Sequence, residues 1–303
     1  MKILNGTLCA LLLIALCLTS CKDDDQNQAD IPTAEEFQNL RQTALDNITQ
    51  NFQFDPQSGM ASLTSNQGVQ IDIYSCTDAS SNEATGMVDV AFVEIFDKGT
   101  MLVTNKPTMG ISSSGEQGIL ISGGEFFINA TESGEQLEVC YIQAVIPAAL
   151  TGGVNYNMSL WEGSIDAGGD LTWMPIDSAG SMDADSSDYF VFINDLGWIN
   201  CDIFYDDPRP RTDITVELPE GYDNENSGVY FSIVGETSGL GTLGWQFPIG
   251  LECHIIFVTA EGTDWRYALA SITVAENEVV TFGLDDTAVV TESELIDIIN
   301  DLP

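Results

Sequence analysis

The chain reads as an all-β protein. It predicts two tandem antiparallel β-sandwich domains with short N- and C-terminal helices. Three observations carry this reading. Apolar runs of strand length recur from about Val69 to Thr281, separated by clusters of Gly, Ser, Asn and Asp. No helical periodicity lies between them, which argues against βαβ units. Helical spacing occurs near the two ends, each time behind a capping-box signature.

Residues 1–20 read as a secretory signal. Lys2 supplies the positive end, and Leu8 to Leu18 is an unbroken apolar run of eleven residues. That is too short for a bilayer span, which takes roughly 20 apolar residues, and has the length of a signal core. Leu18-Thr19-Ser20-Cys21 resembles a bacterial lipobox, which implies lipidation of Cys21. Lys22, Asp23, Asp24 and Asp25 follow at once, and residues 21–34 read as a disordered acidic tether. An acidic run directly behind a lipidated Cys resembles the signal that sends Bacteroidota lipoproteins to the outer face of the outer membrane. The expected address is therefore the outer membrane, lipid-anchored and facing the cell exterior.

A short helix is expected over residues 35–54, with Thr33 as N-cap, Glu36 three residues on, and Phe37, Leu40, Ala44 and Ile48 at helical spacing. A first β-sandwich is expected over residues 55–150. Its strands are Val69–Ser75, Met87–Phe96, Ile119–Ser122, Glu125–Ala130 and Leu137–Ile146. Residues 151–200 read as a connecting β segment with acidic loops, and residues 201–283 as a second sandwich. Residues 284–303 read as an acidic C-terminal helix opened by Thr291 and Glu294.

Of the 303 residues, 47 are Asp or Glu and 8 are Lys or Arg, for a formal net charge of −39. Such a chain repels nucleic acid phosphates and anionic membrane surfaces. Charged residues are only 18% and hydrophobic ones 44%, which is the balance of a folded protein and not of an acidic tail. Beyond Cys21 four cysteines remain, Cys76, Cys140, Cys201 and Cys253, which allow three disulfide pairings. None belongs to a C-x-x-C pair. Cys140 and Cys253 lie inside strand-like runs and read as buried thiols, and the fold is not expected to need a disulfide framework.

Glu94-Ile95-Phe96-Asp97-Lys98-Gly99-Thr100-Met101-Leu102, Asn105-Lys106-Pro107-Thr108 and Leu120-Ile121-Ser122-Gly123-Gly124-Glu125-Phe126-Phe127 resemble a recurrent module of Bacteroidota surface and envelope proteins. That module is similar to the sandwich domain of netrin receptors and ankyrins. Leu196-Gly197-Trp198-Ile199-Asn200-Cys201-Asp202 and the strands after it resemble the regulatory sandwich attached to some carboxypeptidases. The resemblance covers about Val69 to Phe282. It implies an architecture and brings no catalytic residues.

His254 is the single His, so any Ser-His-Asp or Cys-His site must use it. It sits mid-strand, with no nucleophile elbow in the chain, and reads as structural. With 47 acids, close carboxylate pairs arise by chance and do not point to a glycosidase. Asp183, Asp185 and Asp188 have the oxygen-ligand look of a calcium loop. Read as an EF-hand they lack the Gly at position six and the Glu at position twelve. Calcium is the one cofactor this leaves open. Trp173 and Trp245, beside Gly-rich turns, are the candidate ligand-stacking residues, whereas Trp161, Trp198 and Trp265 read as core. Ser178 in Asp177-Ser178-Ala179 and Thr287 in Asp286-Thr287-Ala288 resemble acceptors of Bacteroidota O-glycosylation.

The expected role is non-catalytic binding or adhesion toward a glycan or a surface protein. The alternatives are a structural envelope component and a carboxylate-dependent hydrolase. An exposed aromatic cleft favours a glycan, and a flat apolar patch a protein partner. A deep pocket holding carboxylates of shifted pKa would favour the enzyme.

Overall fold

The computed structural model describes residues 31–166, 169–176 and 180–303. The expectations placed on Cys21, Lys22, Asp23, Asp24, Asp25 and Ser178 lie outside the described residues.

The chain is mostly strand, with three short α-helices. Helix α1 (Ala34–Ile48) starts as its sequence predicts: the Thr33 hydroxyl accepts from the Glu36 N–H, and the Glu36 carboxylate accepts from the Thr33 N–H. It buries Phe37, Leu40 and Ala44. It ends six residues earlier than expected. Gln50–Phe54 is a strand paired with Val88–Phe92. Its residues alternate polar and aromatic through Phe52 and Phe54, a period of two that the helix reading overlooked.

Two sheets face each other across one core. The larger, eight-stranded sheet runs in the order Gln50–Phe54, Val88–Ile95, Gln117–Glu132, Gly197–Phe204, Ser159–Ile165, Leu171–Pro175, Met109–Ile111, with Glu135–Gln136 hairpinned onto its longest strand. The smaller, five-stranded sheet runs Gly180–Ala184, Asp188–Asp195, Val139–Pro147, Gln70–Thr77, Ala61–Thr64. Ile71, Ile73, Phe92, Phe126, Ile128, Val191 and Ile199 fill the space between them. Two expected strands, Ile119–Ser122 and Glu125–Ala130, are one strand, Gln117–Glu132. The register against Gly197–Phe204 slips between Asn200 and Asp202, opposite Gly123-Gly124. Gly124 has φ +131°, and a Cβ there would stand 2.5 Å from the Phe96 ring, so only Gly fits this bulge.

A third sheet of five strands runs Gly241–Thr242, Ser227–Ile233, Glu252–Glu261, Asp264–Thr273, Ala288–Val290. One face packs Phe231, Ile255 and Phe257 against Phe247, Val280 and Phe282. From its other face Tyr230, Ile256, Val258 and Trp265 meet the outer face of the eight-stranded sheet. That contact runs through Phe37 and Leu40 of α1, Met101 and Leu102 of α2 (Lys98–Val103), and Leu295 and Ile299 of α3 (Glu292–Asn300).

Several expectations give way here. Residues 151–200 supply strands to both facing sheets, and the expected boundary at 200/201 falls inside Gly197–Phe204. Among the described strands two pairings are parallel, Trp173 beside Gly110 and Ile214–Glu217 beside Glu278–Thr281, and an isolated bridge joins Leu243 and Trp245 in parallel. Helix α2 is too short for periodicity to reveal, and is started by the Asp97 carboxylate accepting from the Thr100 N–H. Cys76 and Cys140 face each other across neighbouring strands and form a disulfide, so Cys140 is not the free thiol its strand suggested. Cys201 and Cys253 are buried thiols. Burial pushes both up, Cys253 to about 12.

Candidate functional site: an aromatic outer face

Three strands of the smaller sheet alternate between core and outer face, with bulges after Ile73 and after Ile193. In Val139–Pro147, Cys140, Ile142, Ala144 and Ile146 point to the core, which sends Tyr141 and Gln143 outward. In Gln70–Thr77, Ile71 and Ile73 point inward and Asp72 and Tyr74 outward. In Asp188–Asp195, Tyr189, Val191 and Ile193 point inward and Phe190, Phe192 and Asn194 outward. The result is an outer face with three open rings: Tyr74 at 51% exposure, Tyr141 at 56% and Phe192 at 42%. Tyr74, Tyr141, Phe192, Ser181 and Asn194 line an open groove of about 460 Å³.

Polar groups lie between the rings. Phe192, Gln143, Asp72 and Ser62 sit opposite one another on four successive strands. The Tyr74 hydroxyl donates to Gln143 Oε1 at 2.9 Å, and the Ser62 hydroxyl to Asp72 Oδ1 at 2.6 Å. Asn194 Oδ1 has no hydrogen-bond partner. Aromatic faces with fixed hydrogen-bonding groups between them can stack on flat apolar ligand faces and read the polar groups at their edges.

The tryptophans chosen from sequence are not part of this face. Trp173 is fully buried; its indole N–H donates to Pro107 O at 3.0 Å, and its ring meets Trp198 edge-on. Trp245 is 5% exposed and stacks on Phe231 with ring centroids 5.3 Å apart, under the Arg211 guanidinium. Glycine neighbours suggested exposed turns for both, but each indole fills a gap between sheets. Trp161, Trp198 and Trp265 are core, as expected. The rings that are exposed carried a signal in the sequence: Tyr141 and Phe192 fall out of phase with the aliphatic residues on either side.

Asp183, Asp185 and Asp188 lie on and around one hairpin turn. Asp185 accepts from the N–H groups of Ser187 and Asp188, which holds its carboxyl below the usual range. Asp183 accepts from the Ala184 N–H, and Asp188 from the Ser187 hydroxyl. Among the described residues no group of three or more His, Cys, Asp or Glu is placed to hold a metal. Asp183 and Asp185 hold the turn's backbone, and Asp188 holds the Ser187 hydroxyl. Thr287 donates to Leu284 O and accepts from Arg266, so its hydroxyl is engaged at both ends. His254 Nδ1 is 2.8 Å from the Ser271 hydroxyl, and burial lowers its pKa.

One pair of acids sequence reasoning passed over. Glu125 and Asp202 are fully buried at the bulge of the eight-stranded sheet. Asn200 Nδ2 donates to Asp202 at 2.7 Å, and the Ser122 hydroxyl donates to Asn200 Oδ1 at 2.9 Å. Both Glu125 oxygens and Asp202 Oδ1 lack partners. Burial pushes both carboxyls well above the usual range, and the Asp202 charge adds to the shift at Glu125. No helix among the described residues is long and apolar enough to cross a membrane. No protein-family model and no curated protein matches the sequence.

Proposed function

We propose that this is a lipid-anchored surface protein of the Bacteroidota type that binds a neutral glycan without catalysis, through Tyr74, Tyr141 and Phe192. The observation that carries the reading is the set of three exposed rings lining one groove on the outer sheet face, with Gln143 and Asp72 in the row beside Phe192. Covering roughly 100 Å² of each ring contributes about 2.5 kcal/mol at about 25 cal/mol per Å². Part of that offsets the cost of ordering the ligand. The charge of −39 argues for neutral sugars over sulfated or phosphorylated ones. A hydrolase has less support: the two carboxyls raised well above the usual range, Glu125 and Asp202, are sealed in the interior. In this reading the two facing sheets form the first sandwich module. The third sheet with its two-stranded partners forms the second. Cys21 supplies the anchor, and Lys22 with Asp23, Asp24 and Asp25 the export signal.

The test of binding is titration with neutral polysaccharides. Tyr141→Ala and Phe192→Ala should each weaken binding tenfold or more, about 1.4 kcal/mol, with an unchanged melting temperature, because both rings stand outside the core. Full affinity in the double variant refutes the site. The test of address uses protease on whole cells. Cys21→Ala should leave the membrane fraction. Alanine at Asp23, Asp24 and Asp25 should keep membrane attachment, since that comes from buried CH₂ groups, but lose protease access. A triple variant displayed as fully as the parent refutes the export signal.

A further inference from the structure

We infer that a second site, the cavity between α1 and the loop Thr104–Lys106, binds a small monocarboxylate. The cavity measures about 270 Å³ and is lined by Gln38, Arg41, Gln42, Thr104, Asn105 and Lys106 among others. No Asp or Glu lines it. In a chain with 47 acids and 8 bases, two cations lining one cavity is an uneven allocation of charge, even with Asp170 bonded to the lining residue Asn105. Neither cation is in an ion pair. Among the described residues those are Arg209–Asp207 and Arg266–Glu261.

The two cations are held in place. The Arg41 guanidinium lies 3.9 Å from the Phe37 ring centroid, and its Nη2 donates to the Tyr230 hydroxyl at 2.8 Å. Its Nε is buried without a partner. A Cβ on Gly228 would stand 2.6 Å from Nη2, so the bare glycine makes the space the guanidinium occupies. Lys106 is 6% exposed and donates to the carbonyls of Thr104 and Asn105. Burial lowers its pKa, Glu125 and Asp170 oppose that, and Arg41 adds to it, as expected of two cations brought close together. Between them Asn105 takes φ +54° as the left-handed cap that ends α2, where its N–H donates to Leu102 O and the Lys106 N–H to Met101 O. Its Oδ1 accepts from the Tyr230 hydroxyl at 2.6 Å, and its Nδ2 donates to Asp170 at 3.3 Å.

The chemistry selects the ligand class. A planar guanidinium with an unused N–H matches a carboxylate. Gln38, Gln42 and Asn105 supply neutral amides around it. A dianion meets the repulsion of the whole acidic chain, whereas a single charge meets half of it. The volume suits a molecule the size of a sugar acid, smaller than drug-sized ligands.

The experiment is calorimetric titration of the purified protein at low salt with acetate, galacturonate, galactose and inorganic phosphate. Galacturonate and acetate should bind saturably, galactose should be silent, and phosphate should be weaker than galacturonate. Arg41→Gln should lower galacturonate affinity tenfold or more, and Gly228→Ala should do the same by displacing the guanidinium. Because Arg41 also ties α1 to Tyr230, the double variant Gln38→Ala/Gln42→Ala provides a second arm. Both glutamines are exposed on α1, so it should keep the parental melting temperature and lose affinity severalfold. Tyr141→Ala should bind galacturonate like the parent, which separates this cavity from the aromatic face. Silence of both carboxylates, or unchanged affinity in the folded glutamine variant, overturns the proposal.

Discussion

Removing the Cys76–Cys140 disulfide tests the fold against a number. The bridge joins residues 64 apart in sequence. In the chain-entropy account, closing a loop of that length removes about 14 cal/mol/K from the unfolded chain, about 4 kcal/mol at 25 °C. For a domain of this size each kcal/mol moves the melting temperature by about 2 °C. Cys76→Ala/Cys140→Ala should therefore melt about 8 °C lower than the oxidised parent and still fold cooperatively, because the three cores remain. Cys201→Ala, which removes a buried free thiol, is the comparison for packing loss alone and should move the melting temperature by only a few degrees. Calorimetry reads the shift. Mass spectrometry of alkylated protein checks the premise: without reductant, Cys201 and Cys253 should alkylate on denaturation while Cys76 and Cys140 should not. Equal melting temperatures for the double variant and the parent refute the reasoning, as does alkylation of all four.

Asp202→Asn should stabilise the protein above neutrality. Burial raises the Asp202 pKa in the folded state, so stability is greatest below the unfolded value near 4 and is lost as pH rises through the folded value. The variant should gain on the order of 1–3 kcal/mol at about pH 8 and match the parent at about pH 4; a gain that does not depend on pH counts against the assignment. Thr33→Ala removes the hydroxyl that accepts from Glu36 at the start of α1. It should cost about 1 kcal/mol, read as a lower midpoint in urea, and no change there means the cap does not hold the helix.

What could be read in the sequence was local. The strands Glu252–Glu261 and Asp264–Thr273 follow their apolar runs, and both capping boxes are where Thr33 and Thr291 place them. Pairing across the chain could not be read in the same way. Nothing near Trp198 or Cys201 says that this strand lies against Gln117–Glu132, because the partner is chosen by the core they share. The same limit explains the tryptophans. Gly168-Gly169 before Trp173 marks a turn in the sequence, but the ring beyond it is enclosed by Pro107 and Trp198, which arrive from elsewhere. Tyr141 and Phe192 were within reach, since strand alternation alone assigns them to the side opposite Cys140, Ile142, Val191 and Ile193.

The core between the eight-stranded sheet and the third sheet draws on both ends of the described chain, Phe37 and Leu40 at one end and Leu295 and Ile299 at the other. A protein built this way is not divisible. A fragment stopping at residue 283 lacks the edge strand Ala288–Val290 of the third sheet and the helix residues that close the seam between the halves. Synthesis from the N-terminus leaves that seam open until the last helix emerges. The chain that reads as a string of modules should therefore melt in one transition, and its halves should not be exchangeable parts.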